Sequence, residues 1–247
     1  MVRRVPLRAN ANNPREARDF SQLARCEGDD SSMNRTSLDE PGAERLLDPL
    51  LYFDAMPSNL ATYADLFALS ADLRAEVIAG EVITSPSALP RHAKVQGALR
   101  AFIGGPYDDE YESGVPGGWW IFTGVDVALG AHDIVRPDLA GWRRERLPRS
   151  GLQRPIELAP DWVCEVLSPC TASRDRVIKR ALYASAGIGH FWLIDPEARV
   201  LESFALGDRA WVDVGAYDEF ATARVMPFDA VDLEVARLFL PHDADIE

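Results

Sequence analysis

Apolar positions fall into two regimes along this chain. Residues 1 to about 55 have no sustained apolar period. They carry only short clusters, such as Leu46-Leu47 and Leu50-Leu51-Tyr52-Phe53, among Arg, Asn, Asp, Ser and Pro. That pattern predicts a largely disordered extension, because so few periodic apolar positions cannot offset the entropy of ordering it. Residues 56–247 read instead as one folded domain. Thr62 and Asp65 resemble a capping box, with Asp where Glu or Gln is usual, and predict a short helix through Leu69. Arg74 to Thr84 reads as two strands around Ala79-Gly80, a hairpin. Val95, Leu99 and Phe102 predict a helix over His92 to Ile103, stopped by Gly104-Gly105.

Strands are predicted next over Trp119–Thr123 and Val125–Leu129, then over Ile134–Trp142, where Pro137 must occupy a position that needs no ladder hydrogen bond. The strongest apolar run is Trp162 to Leu167, bounded by Pro160 and Ser168-Pro169, as expected of a central strand covered on both faces. A helix from about Thr171 to Ala186, ended by Gly187, and a second apolar strand over His190–Asp195 complete a strand–helix–strand unit. Two amphipathic strands, Val200–Ala205 and Ala210–Val214, and a short helix near Val231–Phe239 close the chain. The fold class is therefore α/β in the α+β sense: a central mixed β-sheet flanked by helices.

Composition narrows the function classes. With 47% apolar and 26% charged residues, and no apolar stretch long enough for a span or a signal peptide, the expectation is a cytoplasmic protein without a membrane partner. Cys26, Cys164 and Cys170 are too few and too irregular for a disulfide framework. A formal charge of −13 opposes broad attraction to nucleic acid. Locally the balance reverses, because residues 134–154 hold six arginines against Asp138 and Glu145. Within that stretch Arg143, Arg144 and Arg146 are candidate phosphate contacts, expected beside the site that Asp138 would form; a solvated basic loop is the competing reading.

One charge interrupts the strongest strand. Glu165 lies inside the apolar run, and a buried carboxylate must be paired, bind a cation or shift its pKa. Asp138 stands at the Pro-interrupted end of an earlier strand. If the two strands are adjacent, the carboxylates converge and repel unless a hard divalent cation lies between them. Asp175, Lys179 and Tyr183 are spaced i, i+4, i+8 on the following helix, so Lys179 can point at the same spot. Glu81 after the hairpin turn and His92 at a helix start are further candidates. No Walker A, dinucleotide, serine-hydrolase or zinc spacing is present.

Arg136-Pro-Asp138, Pro160-Asp-x-Val-x-Glu165-Val-Leu-Ser-Pro169, Asp175-x-x-x-Lys179-x-x-x-Tyr183 and Gly187-x-x-His-Phe-Trp192 together resemble the signature of the Uma family, restriction-endonuclease-like proteins of the PD-(D/E)XK nuclease superfamily. The earlier Glu76-Val-Ile-x-Gly-Glu81 and Ser85-Pro with His92 fit the same pattern, and the resemblance covers roughly residues 60 to 240. It implies a restriction-endonuclease-like core, Mg²⁺ or Mn²⁺ held by Asp138, Glu165 and the main-chain carbonyl of Val166, and phosphodiester hydrolysis in nucleic acid, DNA first. The superfamily's lysine usually lies two residues after the glutamate, where this chain has Leu167, so its role passes to Lys179. Two other readings stand beside the nuclease: a catalytically silent nucleic-acid- or protein-binding module on the same fold, and a homodimeric assembly protein.

Overall fold

The computed structural model describes residues 60–242 apart from 71–72, 109–113 and 209; the extension expected over residues 1–55 lies outside the described residues. Helix α1 (Tyr63–Phe67) opens the described chain. Asp65 serves as its cap partner, accepting from the Thr62 main-chain N–H at 2.9 Å and from its hydroxyl at 3.0 Å. Strands β1 (Arg74–Ile78) and β2 (Glu81–Ser85) form the expected hairpin, turning through Ala79 and Gly80 at φ 50° and 76°. Positive φ at both turn positions matches the right-handed twist of the flanking strands.

Helix α2 spans Pro90–Asp108 and so runs through Gly104-Gly105, where the sequence predicts a stop. Val95, Leu99, Ile103 and Tyr107 continue one buried stripe along it, and the Tyr107 hydroxyl accepts from the Ala230 N–H at 2.9 Å. Burying such large side chains stabilises by roughly 1.5–3 kcal/mol each, more than glycine costs a helix at about 1 kcal/mol per residue.

Then follow β3 (Trp119–Thr123), β4 (Val127–Gly130), β5 (Asp133–Val135) and β6 (Leu139–Arg143). The single strand predicted over Ile134–Trp142 is thus two strands, and Pro137 falls in the gap where the chain leaves one sheet for another. Strand β7 (Trp162–Val166) is buried along its whole length, as its composition demands. The helix after it begins as a wide π-helical turn over Arg174–Lys179 and tightens into α3 (Arg180–Ser185). Strands β8 (His190–Asp195), β9 (Val200–Leu206) and β10 (Trp211–Asp218) follow, then a two-stranded ribbon of β11 (Thr222–Ala223) and β12 (Leu233–Glu234). Of the closing helix predicted near Val231–Phe239, only a 3₁₀ turn over Val235–Leu238 forms.

The large sheet runs β10-β9-β8-β7-β6-β3, with β7 central and parallel only to β8; the smaller sheet runs β2-β1-β5-β4. This is a mixed α+β fold with a mixed multi-stranded sheet and few helices. One face of the large sheet packs Trp119, Trp162 and Trp192 against α2 and the C-terminal segment around Phe228. The other face packs Val163, Leu167 and Phe191 against Tyr183 of α3 and Val127 and Val135 of the smaller sheet. Among the described residues no helix is long and apolar enough to cross a membrane.

Candidate active site

Sheet register decides where the carboxylates go. Leu139 of β6 faces Cys164 of β7 in the antiparallel ladder, so one further step sets Asp138 opposite Glu165. Period-two alternation turns both away from the Trp162–Cys164 face and toward α3. Strand β1 supplies the third wall by the same alternation: Ala75 and Val77 pack toward α1, while Arg74 and Glu76 line the site. The result is a pocket of about 250 Å³ lined by Arg74, Glu76, His92, Asp138, Glu165 and Lys179, among others. Glu76, His92, Asp138, Glu165, Asp175 and Lys179 are all buried.

Asp138, Glu165 and Glu76 are each held at hydrogen-bond distance, while Asp175 Oδ1 has no hydrogen-bond partner among the described residues. Asp138 Oδ1 accepts from Arg74 Nη2 at 2.5 Å, and its Oδ2 accepts from the Val166 N–H at 2.8 Å and lies 3.0 Å from His92 Nε2. Gln96 of α2 donates to the Asp138 carbonyl at 2.8 Å. Lys179 Nζ sits 2.7 Å from Glu165 Oε1, 2.8 Å from Glu76 Oε1 and 3.9 Å from Asp175 Oδ1. The Tyr183 hydroxyl donates to Glu165 Oε1. The Arg136 N–H donates to Glu76 Oε1 at 2.7 Å, so the segment Arg136-Pro137-Asp138 holds one acid and carries another.

These contacts set the protonation states. Burial pushes Asp138 up, but His92 and the Arg74 guanidinium outweigh it and hold its pKa at about 2. Glu165 goes the other way: burial, reinforced by Asp175, Asp138 and Glu76, outweighs Lys179 and lifts its pKa to about 8. For Lys179, burial favours the neutral amine, yet Glu165, Glu76 and Asp175 overcome it and raise its pKa, so the ammonium stays charged. Burial and the neighbouring acids keep the Tyr183 phenol neutral.

Glu165 therefore binds its proton more tightly in the folded chain than in the unfolded one. Metal-free stability should fall as pH rises from its ordinary 4.5 toward about 8. Asp138 acts oppositely, adding stability above its ordinary 3.8 that is lost as pH falls toward about 2. A melting-temperature series between those upper limits should slope downward in wild type and flatten in Glu165→Gln. An unchanged slope in the variant would show that Glu165 is already ionised.

Glu81 does not join the pocket. It is exposed at the hairpin end of β2, and Glu76, its neighbour along the hairpin, takes the wall position. Arg143, Arg144 and Arg146 are not beside Asp138 as the sequence suggests. Asp138 precedes β6 whereas Arg143 ends it, at the other end of the strand. There Arg143 lies over the Trp119 ring, Arg144 donates to the Trp119 and Asp108 carbonyls, and Arg146 pairs with Asp161 at 2.5 Å. The cations that do line the pocket are Arg74, Arg174 and Lys179. Glu76 carried a readable signal, since it too is a charge inside an apolar strand; Arg74 and Arg174 carried none.

Asp138, Glu165 and Val166 line the pocket together, and carboxylate and carbonyl oxygens are the hard donors that a cation such as Mg²⁺ takes. Among the described residues no group of three or more His, Cys, Asp or Glu side chains forms a ready cage. Burial first, and then Asp175, Asp138 and Glu76, raise the Glu165 pKa, and a cation beside these acids would favour its ionised form.

A crystal structure described as that of a putative nuclease belonging to DUF820, from Anabaena variabilis, superposes with a TM-score of 0.58 at 21% identity, over 72% of this chain and 97% of that one. At that identity the likeness establishes a shared fold. No curated protein matches the chain. The Uma2 family, described as “putative restriction endonuclease”, matches residues 60–236, a span that contains both carboxylate strands, the π-helical turn and both sheets. This chain, with its nuclease-like fold and its buried Asp138–Glu165–Lys179 constellation, belongs to the Uma2 family.

Proposed function

We propose that this protein is a metal-dependent endonuclease that hydrolyses phosphodiester bonds in nucleic acid, with DNA the expected substrate. The reading is carried by one observation: Asp138 just before β6, Glu165 in β7 and a helix-borne lysine meet in one pocket, with Lys179 Nζ 2.7 Å from Glu165. Asp138, Glu165 and the Val166 carbonyl would hold Mg²⁺ or Mn²⁺, which when bound supplies Lewis acidity and lowers the pKa of bound water. Lys179 is charged, so it serves as a donor and not as a base: it orients the attacking water and offsets charge developing on the phosphate. Tyr183 and Glu76 fix the Glu165 and Lys179 side chains, and His92 fixes Asp138. Leu167, where the superfamily's lysine usually stands, is buried in the core beside Tyr183.

A catalytically silent module is the second reading. It is favoured by the closed pairing of Asp138 with Arg74 and of Glu165 with Lys179, which needs no cation to be satisfied. Calorimetric titration of Mg²⁺ and Mn²⁺ into wild type and Glu165→Gln, with cleavage of plasmid DNA followed in parallel, separates the two. The nuclease should bind cation and cut only with it, and the variant should do neither. If wild type binds no cation and Glu165→Gln unfolds with or without metal, the carboxylates are structural and the nuclease reading fails.

A further inference from the structure

Asp138 is paired with its arginine through one oxygen only. Arg74 Nη2 donates to Asp138 Oδ1 at 2.5 Å, and the guanidinium makes no second hydrogen bond among the described residues. An arginine that fixes a carboxylate commonly forks onto both oxygens. Here the second oxygen is taken, because Oδ2 accepts the Val166 N–H at 2.8 Å and lies 3.0 Å from His92 Nε2. The Val166 N–H belongs to the main chain of the central strand and His92 is buried, so neither is free to leave. Oδ1 is therefore the oxygen through which Asp138 can meet a cation, and Arg74 stands on it.

Of the cations that line the pocket, Arg74 is the one built to move. Lys179 is buried among Glu165, Glu76 and Asp175, at 2.7, 2.8 and 3.9 Å. The Arg174 side chain is also largely buried and donates to Ser85 Oγ at 2.9 Å. The Arg74 side chain is 30% exposed against 3% for Asp138, so it reaches the acid from the solvent side. Its main chain is fixed opposite Ser85 in the β1–β2 ladder, which leaves the long side chain to swing while the strand stays in place.

We infer that Arg74 is a displaceable resident counterion: it occupies Asp138 Oδ1 in the metal-free protein and turns out to solvent when a divalent cation takes that oxygen. The inference rests on the reading of Asp138 and Glu165 as cation ligands and says how that site is regulated. A guanidinium and a divalent cation on one buried carboxylate repel each other at close range, where salt screens little, so each excludes the other. The closed pairing of Asp138 is then the resting state of a cation site, and Arg74 sets the concentration at which the cation enters.

The test uses the full chain, with Mg²⁺ titrated calorimetrically into wild type, Arg74→Gln and Arg74→Lys. An arginine beside an aspartate changes the affinity of the acid for a proton by about 10-fold or more, and Arg74→Gln should tighten Mg²⁺ binding by about the same factor. Arg74→Lys keeps the charge and should tighten it far less. The second readout is the Nε–H resonance of Arg74 in isotope-labelled wild type, assigned by its loss in Arg74→Lys. It should move along the Mg²⁺ binding isotherm toward the position of an exposed arginine. If Arg74→Gln binds Mg²⁺ no more tightly than wild type, or the Arg74 resonance is unmoved at saturating Mg²⁺, the inference is wrong, whether or not the protein cuts DNA. Tightening and a shifted resonance in a protein that never cleaves plasmid DNA would keep the inference and remove the nuclease reading. Binding of Mg²⁺ by neither wild type nor Arg74→Gln would overturn both.

Discussion

Asp138→Asn should abolish divalent-cation binding and with it strand cleavage, while the protein stays folded. Asparagine keeps the shape of the side chain and an oxygen to accept the Val166 N–H, which Asp138 receives at 2.8 Å. What it removes is the charge that a hard cation needs. Asp138 is the acid best suited to that task, since His92 and Arg74 hold it ionised with a pKa of about 2, whereas Glu165 retains its proton up to about 8. A cation's contribution to phosphoryl chemistry is several kcal/mol, so cleavage should drop by about 10³-fold or more. Some stability should be lost at neutral pH, because the ionised Asp138 is favoured in the fold by His92 and Arg74, but Arg74 is 30% exposed and can turn its freed guanidinium to water, which limits the loss. Calorimetry with Mg²⁺ checks the first half and a plasmid-nicking assay the second. Retained cation affinity in Asp138→Asn would move the metal site elsewhere.

Lys179→Ala should cost more stability than any other single change in the pocket. The ammonium lies 2.7 Å from Glu165 and 2.8 Å from Glu76, and its removal leaves two buried acids facing each other across a cavity. Breaking a buried pair by deleting one partner costs roughly 3–5 kcal/mol. Cation binding should survive, because Lys179 is not a ligand, and Mg²⁺ should raise the variant's melting temperature more than it raises wild type's, since the metal now meets uncompensated charge. Cleavage should still fall by about 10²–10³-fold for want of the donor. Thermal melts with and without Mg²⁺ read the stability half directly. A variant as stable as wild type would mean that Glu76 and Glu165 are both protonated and that Lys179 holds nothing together.

The carboxylate strand was legible because burial writes itself locally. An apolar run too short for a helix, with one acid in it, describes β7 and Glu165 from neighbours alone. Lys179 was legible for a similar reason: i, i+4 spacing from Asp175 puts both on one face whether the turn is α-helical or π-helical. Local reading misled where a distant contact outweighed it. Helix α2 passes two glycines and Pro106 because Tyr107 has a binding site of its own near Ala230. Pro137 marked a break correctly, but not that the chain changes sheets there.

By itself the sequence determined most of the strands and helices, that Glu165 must be a buried charge, and that Asp138, Glu165 and Lys179 could meet. Those properties follow from periodicity and from the cost of desolvating a carboxylate, which each segment carries with it. Only the tertiary structure decided which acid of the β1–β2 hairpin enters the pocket, where the basic loop lies, and which cations serve the site. Glu76 and Glu81 share one face of the hairpin, but Glu76 lies far enough along β1 to reach the pocket whereas Glu81 stays exposed at the turn end, and five residues of β6 carry Arg143 to the far end from Asp138. Arg74 and Arg174 reach the pocket because a separate sheet and a widened helical turn fold onto β7. Register and sheet order pair residues dozens of positions apart, and no local pattern encodes that pairing.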